Sequence, residues 1–385
     1  MTVPILFYLD ESSLYEHIFE RYVQLENGID ELKQDLGIQN RHDNQIEINI
    51  EPWENMLKKE GKQTNRKTGR VLRKRGNHKN NEITDTCIIE NTFNLVIDQS
   101  ITSLSSSKDN INSTTGYVLW SITPFFIKWL LYSPSGEVFR SGIKDIPIIY
   151  SKDDEQKIDN DVTAMNIPSL LNTKNHSGGK VSVVELGSGI SGILPITLGN
   201  YVDKYIATDQ RGILNKLKEN ITGNMSQLPL RSVKSVTLGI DDTPKSDNSN
   251  DDELVVTARR IKPRLSLEVQ SIDWETFKLN QTTQSTLYPY LEEIKHEGAG
   301  TVYVLAMDVI YNDFLIKPFL ETIKQIQAYY TDSQQTVVCL VGIHLRSQDV
   351  VTSFLEQAVI EEELNVFSVD TPEWEHSRFN LYMIK

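Results

Sequence analysis

The chain has 385 residues, of which 39% are hydrophobic, so it can form one large domain or two modest ones around a buried core. Cys87 and Cys339 lie far apart and form no ligand or redox motif, which argues against structural zinc and a disulfide framework. The sequence begins without a signal-peptide pattern, and its longest apolar run, from Tyr117 to Tyr132, is too short to cross a bilayer. We therefore expect a soluble cytoplasmic or nuclear protein that contacts no membrane and is a monomer.

The net charge of −14 is unevenly distributed. The basic tract from Lys58 to Lys79 contains ten Lys or Arg and one acid, a local charge of +9, which leaves −23 for the rest of the chain. A strongly acidic protein favours a basic partner, because complementary electrostatic fields speed the encounter of the two molecules. The alternative is that the negative charge only keeps the protein soluble. The tract itself is typical of a loop that contacts nucleic acid or acts as a nuclear signal, or of a solvated insertion without a role.

The first 115 residues have the pattern of an N-terminal extension around the basic tract. Apolar residues at helical spacing predict a surface helix from Leu14 to Leu36 that ends near Gly37. The run from Thr92 to Ile97 predicts a strand that pairs within the N-terminal region. From Gly116 the sequence becomes strongly apolar and predicts a helix through Leu131, so we place the main domain at residues 116–385.

The stretch from Val181 to Leu194, VSVVELGSGISGIL, is the most informative part of the chain. Its β-branched and apolar residues up to Leu186 predict a parallel strand buried on both faces. Gly187, Ser188 and Gly189 predict a sharp turn where a ligand can lie against bare main chain. Nucleotide-like cofactors bind at such turns, at the carboxyl edge of an open parallel sheet.

Glu185, two residues before the first glycine of this turn, distinguishes between cofactor classes. A dinucleotide would bring a pyrophosphate to the turn, and a carboxylate nearby would repel it. S-adenosylmethionine carries an ammonium and a sulfonium instead, so a carboxylate there is attractive. The alternative is that Glu185 caps a helix or pairs with Lys or Arg. The sequence therefore favours S-adenosylmethionine over NAD.

Asp209 ends the next apolar run, which begins at Val202, and lies 22 residues after Gly187. That distance places its carboxylate across one βαβ step from the glycine turn, where it can accept hydrogen bonds from both ribose hydroxyls. Dinucleotide folds use the same arrangement, so Asp209 indicates adenosine without naming the cofactor. Its alternative role is an acidic N-cap for the helix that begins near Gly212.

Five further strand-like runs and the helices between them predict the fold class. The low-complexity acidic insertion at residues 241–253 interrupts them after the second strand. The runs are Leu265–Trp274, Val302–Tyr311, Thr336–Val341, Asn365–Val369 and Arg378–Ile384, and helical patterns cover Leu315–Tyr329 and Val350–Val359. Alternating βα units closed by an antiparallel hairpin predict an α/β, Rossmann-like sheet of about seven strands.

Several long blocks in a consistent order resemble one family. They are YEHIFERYVQLE, TTGYVLWSITPFFIKWLLYS, ELGSGISGILPITLGNYVDKYIATDQRGILNKLKENI, AMDVIYNDFLIKPFL and LVGIHLRSQ. Together they are similar to methyltransferase family 16, the seven-stranded lysine methyltransferases, over most of the chain. The resemblance is to fungal members that act on a ribosomal protein. It implies S-adenosylmethionine as cofactor and a lysine of the large-subunit stalk protein near the tRNA exit site as acceptor. A weak contact between the basic tract and ribosomal RNA is suggested by the composition of the tract and not by the resemblance.

The resemblance also assigns roles around the glycine turn. The cofactor's methionine part would lie over Gly187, Ser188 and Gly189, with Glu185 near its ammonium and Asp209 on its ribose. The remaining contacts would be Trp120 from the segment before the sheet, Asp273 and Trp274 beside the adenine, and the Met307 backbone. The alternative is that Trp120 and Trp274 are plain core residues.

Asp308 and Tyr311 would face the incoming lysine. Asp308 ends a central strand, where it can orient the amine or accept its proton through water, and Tyr311 can flank the amine with its ring or hydroxyl. A lysine amine has a solution pKa of about 10.4, so the site must favour its neutral form. Alternatively, Asp308 is a helix N-cap and Tyr311 a wall residue. The sequence contains no metal-site motif.

Three hypotheses stay open at this point. The first is a protein-lysine methyltransferase, and the second is an inactive methyltransferase-fold protein that binds or chaperones a ribosomal protein. The third is a dinucleotide oxidoreductase, which Glu185 and the terminal hairpin disfavour. The absence of an Asn/Asp-Pro-Pro-Tyr motif argues against methylation of a nucleic-acid amine.

Overall fold

A mixed sheet of eleven strands organises the part of the chain that the structure describes. The structure is a computed structural model, and the described residues are 5–28, 37–53, 91–105, 115–150, 164–172, 179–241, 262–279 and 285–385. Cys87, the basic tract from Lys58 to Lys79 and the acidic insertion from residue 242 onward lie outside these ranges. The roles predicted for them stay predictions.

The strands and helices are numbered in chain order. The strands are β1 Ile5–Leu9, β2 Gln45–Ile50, β3 Phe93–Asp98, β4 Ile143–Ile149, β5 Ala164–Ile167, β6 Lys180–Leu186, β7 Lys204–Asp209, β8 Ser232–Lys234, β9 Arg264–Ser271, β10 Gly300–Met307, β11 Gln335–His344, β12 Val366–Asp370 and β13 Phe379–Ile384. The helices are α1 Leu14–Asn27, α2 Ile101–Ser105, α3 Ile122–Tyr132, α4 Glu137–Ser141, α5 Ile193–Leu198, α6 Leu214–Gly223, α7 Tyr288–His296, α8 Asp313–Tyr330, α9 Gln348–Glu356 and α10 Pro372–Glu375. A 3-10 turn, Met225–Gln227, follows α6, and a π-helical turn, Gln357–Glu361, continues α9.

Seven of the sheet strands have the predicted Rossmann-like arrangement. Their order is β9-β7-β6-β10-β11-β13-β12, and all are parallel except β13, which lies antiparallel between β11 and β12. The predicted terminal hairpin is therefore confirmed. An ordinary dinucleotide-binding sheet has six strands in the order 3-2-1-4-5-6 and lacks an antiparallel strand at this place.

The sheet is wider than the predicted seven strands. Strand β8 extends one edge beside β9, and β1, β4 and β5 extend the other edge beyond β12. Strand β5 lies within residues 153–175, a polar stretch whose sequence predicts a loop. Its four residues form an edge strand that is largely exposed, so its sequence carries no alternation of apolar and polar side chains. The boundary at residue 115 stays a prediction, although β1 belongs to the common sheet.

Helices cover both faces of the central strands. One apolar cluster packs α3, α5 and α6 against the sheet, and a second packs α7, α8 and α9 against the opposite face. Strands β6 and β10 are buried almost throughout, which explains their continuous apolar sequences. Each fully buried Leu, Ile or Phe contributes about 1.5–3 kcal/mol, so the two clusters hold the carboxyl edge of the sheet rigidly. No helix within the described ranges could span a membrane.

Helix α1 is shorter than predicted, because it ends at Asn27 with Gly28 as its C-cap. It packs beside the terminal hairpin through Arg21, which is buried. The Arg21 guanidinium donates to Asn380 Oδ1 at 2.6 Å and to the carbonyls of Trp374 and Phe379 at 3.2 Å. Buried charge requires such saturation with acceptors, so α1 is tied to the hairpin by a specific network.

The predicted pairing of the strand near Thr92 is confirmed, since β3 pairs antiparallel with β2. The open edge of β3 is closed by Asn220 of α6 and by Asn224, the C-cap of that helix. The Asn220 side chain exchanges hydrogen bonds of 2.8 and 2.9 Å with the backbone of Asp98, and Asn224 does the same with Val96 at 3.0 and 2.7 Å. These amides imitate a neighbouring strand and dock the hairpin beside the βα units.

Candidate active site

A cavity lies at the carboxyl edge of the central strands. Its walls come from the loop before α3, from the ends of β6, β7, β9 and β10, and from the start of α8. All eleven residues predicted for the site line it, namely Trp120, Glu185, Gly187, Ser188, Gly189, Asp209, Asp273, Trp274, Met307, Asp308 and Tyr311. The structure thus brings the whole predicted set together, while the individual roles stay predictions.

The glycine turn after β6 depends on residues without a Cβ. Gly187 has φ +75°, and a Cβ there would lie 2.6 Å from Val309 Cγ1. Gly189 has φ +58° and lies close to the Gly116 carbonyl. Backbone N–H groups of Gly187 and Ser188 donate to the Thr208 carbonyl at 3.0 and 2.9 Å, which fixes the turn against β7. The cavity is therefore bounded by bare main chain, as predicted.

Glu185 is buried at the end of β6 and faces the cavity. The Tyr205 hydroxyl donates to its Oε2 at 2.8 Å. Burial raises the pKa of Glu185 to about 7, against the hydrogen bond from Tyr205, which lowers it. Glu185 caps no helix, and among the described residues no Lys or Arg forms a salt bridge with it.

Asp209 joins the ends of β7 and the glycine turn. Its carboxylate accepts from the Gly189 N–H at 2.8 Å and from the Gln210 N–H at 2.7 Å. Burial raises the pKa of Asp209 to about 6, although both backbone hydrogen bonds lower it. Helix α6 begins at Leu214 without a side-chain cap, so Asp209 is not its N-cap.

The segment predicted as the start of a helix at Gly116 is a loop, because α3 begins only at Ile122. This loop is paired with residues 37–39: the Gln39 N–H donates to the Leu119 carbonyl at 2.9 Å, and the Ser121 N–H donates to the Gly37 carbonyl at 2.7 Å. The pairing holds Trp120 at the cavity wall. Because the backbone of residues 119–121 bonds to residues 37–39, the helix begins later than predicted. We call residues 37–39 the strap.

Trp274 forms the wall below β9, where its ring packs on Phe319 of α8 at 5.1 Å between centroids. Its indole Nε1–H is buried and has no hydrogen-bond partner within the described residues. Asp273 beside it is exposed, and its Oδ1 accepts from the Glu275 N–H at 3.1 Å. An unpaired indole donor in a cavity wall is typical of a site that receives a polar ligand.

Asp308 has φ +64° and a fully buried carboxylate. The Arg346 guanidinium holds both oxygens: Nη1 donates to Oδ1 at 3.0 Å, and Nη2 donates to Oδ2. Burial raises the pKa of Asp308, and the ion pair with Arg346 opposes that shift. The N-cap of α8 is Asn312, whose side chain accepts from the Phe314 N–H, so Asp308 is not a helix cap.

Arg346 is a residue beside the cavity that the sequence analysis did not single out. It lies two residues after β11, and its guanidinium Cζ also lies over the Trp120 ring, 4.4 Å from the centroid. The signal was available, because a basic residue at the carboxyl end of a strand next to the one carrying Asp308 is placed at the same edge of the sheet.

The mouth of the cavity lies beside the first turn of α8. Tyr311 and Leu315 line the cavity, and between them Phe314 is 87% exposed. Asp273 lines the cavity with an exposed side chain, and Asp313 is exposed in the first turn of α8. A cation flanked by apolar groups is the kind of ligand that such a rim attracts.

The cavity chemistry fits a cationic adenosine ligand. Glu185 and Asp209 are buried acids with raised pKa values, so a positive ligand would stabilise their ionised forms. Glu185 lies at the glycine turn, where a carboxylate would repel a pyrophosphate. In the described ranges no group of three or more His, Cys, Asp or Glu could hold a metal ion.

Comparison with known proteins identifies the family. Ribosomal lysine N-methyltransferase 5 of Saccharomyces cerevisiae strain AWRI796 is 44% identical over 380 residues, which cover 98% of this chain and 99% of the relative, and the protein of strain VIN 13 is 43% identical with the same coverage. No family model matches the sequence. The solved human methyltransferase 10 domain containing protein is 12% identical over 55% of this chain and 73% of its own, but with a TM-score of 0.28, so the fold assignment rests on the strand order. The full-length identity shows that the chain belongs to the ribosomal lysine N-methyltransferase 5 family.

Proposed function

We propose that this protein transfers a methyl group from S-adenosylmethionine to a lysine of a large-subunit ribosomal protein, the stalk protein near the tRNA exit site. The observation that carries the proposal is the content of one cavity: two buried acids without a cationic partner on one side, and Asp308 with Tyr311 on the other. The name of the relatives supports lysine and ribosome as acceptor and context.

The cofactor half of the cavity is formed by the glycine turn and its neighbours. Glu185 would hold the ammonium, Asp209 the ribose hydroxyls, and Trp274 would border the adenine beside Asp273. Trp120 and the Met307 backbone complete the wall. When bound, S-adenosylmethionine supplies an electrophilic methyl group on a sulfonium.

The acceptor half must deliver a neutral amine in line with that methyl group. Asp308 keeps lone pairs beyond its two bonds to Arg346, so it can accept a hydrogen bond from the amine and align it. Tyr311 flanks the approach. Such alignment supplies much of the rate in a displacement reaction, about 7–11 kcal/mol in favourable cases.

The surface of the protein suits a basic partner. The chain carries −14 overall, Asp273 is exposed at the cavity, and Asp313 is exposed in the first turn of α8. Phe314 offers an apolar contact next to the acceptor side. A lysine in a basic ribosomal segment would be steered to this mouth by charge and held by the aromatic ring.

The proposal is tested by incubating the purified protein with labelled S-adenosylmethionine and ribosomes that lack the modification, followed by fractionation. We expect label in one large-subunit protein, on the ε-nitrogen of a lysine identified by mass spectrometry. Label in RNA would overturn the acceptor class. Cofactor binding without any transfer would favour the alternative, an inactive protein that binds or chaperones a ribosomal protein.

A further inference from the structure

We propose that Arg346 is a positioning residue that balances the charge of Asp308, so that the acceptor lysine is held as a neutral amine. This inference rests on the proposed function and assigns a new part of the same site. It begins from three side chains that come from different parts of the chain and contact one another. Asp308 follows β10, Arg346 follows β11, and Trp120 precedes α3.

The geometry holds the guanidinium on two sides. Arg346 donates through Nη1 and Nη2 to the two oxygens of Asp308, and its Cζ lies over the Trp120 ring, 4.4 Å from the centroid. The Asp308 side chain is 1% exposed and that of Arg346 is 22% exposed. A guanidinium held by two hydrogen bonds and an aromatic ring keeps one orientation, which a lysine at the same place could not reproduce.

Charge balance has a direct consequence for the acceptor. A buried carboxylate without a partner would attract the ammonium form of lysine and raise the pKa of that lysine, which removes the lone pair needed for attack. Arg346 cancels most of this attraction but leaves lone pairs on Asp308 that accept from a neutral amine. The carboxylate then aligns the amine without charging it.

The other titratable groups around the cavity do not supply this balance. Glu185 and Asp209 are acids on the cofactor side, Asp273 is an acid at the mouth, and the phenol of Tyr311 carries no positive charge in either protonation state. The His344 backbone N–H approaches Asp308 Oδ1 at 3.4 Å, and its imidazole lies beside Gly37 of the strap together with Arg346. Among the charged groups that the structure describes here, Arg346 is the cation that contacts Asp308.

The strap packs against the side chains of His344 and Arg346. Gly37 has φ +83°, and a Cβ there would lie 2.5 Å from His344 Nδ1 and 3.1 Å from Arg346 Nη2. Gly298 provides a matched control, because it has φ +85° but nothing within 4 Å of a Cβ. Alanine at either position imposes the same backbone strain, and only alanine at Gly37 pushes against the His344 ring and, more mildly, against Arg346.

The test is the pH dependence of kcat, which reports groups in the enzyme–substrate complex. Arg346→Gln should lower kcat at pH 7 by about 10- to 100-fold and move the rising limb about one pH unit upward, because the unbalanced carboxylate retains the ammonium. Arg346→Lys keeps the charge, so the rising limb of its pH profile should stay at the wild-type pH while kcat falls several-fold. Cofactor affinity, measured by calorimetry, checks that both variants are folded.

The glycine pair gives an independent measurement. Gly37→Ala should shift the rising limb of the kcat profile to higher pH, as Arg346→Gln does. Gly298→Ala should leave it at the wild-type pH. Suppose that kcat rises at the wild-type pH in both Arg346→Gln and Gly37→Ala, while the wild-type protein does methylate lysine. That result would overturn this inference and leave the proposed function standing. Failure of the wild-type protein to methylate lysine would instead overturn the proposed function.

Discussion

Replacing Asp308 by Asn is expected to lower the rate of methyl transfer by about 100-fold or more, while the affinity for S-adenosylmethionine changes less than about threefold. Asn is the matched substitution, because it keeps the size of the side chain and tolerates the φ of +64° found at this position. It removes one acceptor for the amine and the charge that Arg346 opposes. Turnover and calorimetry on the same preparation measure the two effects separately.

Asp332→Asn serves as the control for this change, since Asp332 is an exposed acid beyond the far end of α8. It should leave both turnover and affinity at wild-type values. If Asp308→Asn retained turnover within about threefold of wild type, Asp308 would not align the amine. Its function would then be to hold Arg346 in place.

The second large effect concerns Glu185 and pH. Burial raises the pKa of this carboxyl to about 7 in the free protein, so below that pH it is largely protonated. A cationic ligand binds the ionised form, so the affinity for S-adenosylmethionine should rise about tenfold per pH unit from pH 5 toward 7 and then level off. Binding should release a proton, which calorimetry in buffers of different ionisation enthalpy detects.

The folding stability of the cofactor-free protein should depend on pH in the opposite direction to its cofactor affinity. The folded-state pKa of Glu185 lies above its ordinary value, so its contribution is greatest at acid pH and is lost as the pH rises through about 7. Cofactor should restore the melting temperature more at pH 7 than at pH 5. Glu185→Gln keeps an acceptor for Tyr205 and should flatten the affinity profile; an unchanged profile in this variant would remove Glu185 from the binding site.

The sequence was sufficient for the central sheet and the contents of the site. Strands β6 and β10 are recognisable because burial on both faces requires continuous apolar runs, whereas the apolar residues of β7 and β9 are interrupted by buried polar ones such as Thr208 and Glu268. Residues that directly follow parallel strands meet at one edge whatever the lengths of the connections. For this reason Glu185, Asp209 and Asp308 could be placed in one cavity without knowledge of the packing.

The remaining features depend on contacts between distant parts of the chain. The edge strands β4, β5 and β8 are short or exposed, so their sequences have no strong period. Helical spacing continues past Gly28, and only the structure shows that α1 ends there and that Gly37 lies against Arg346. The pair of Asp308 with Arg346 joins the ends of two neighbouring strands, and single-residue patterns do not reveal which charges meet.

The central claim is that the cavity between Glu185 and Asp209 holds a cationic adenosine cofactor. Calorimetric titration of the wild-type protein with S-adenosylmethionine and with NAD tests it most directly, with Asp209→Ala as the variant that reports where the ligand lies. We expect one molecule of S-adenosylmethionine to bind, no binding of NAD, and an affinity about 10-fold or more weaker in Asp209→Ala, because a carboxylate that accepts from two hydroxyls is lost. Binding of NAD without S-adenosylmethionine, or equal affinity of Asp209→Ala and wild type, would contradict the account.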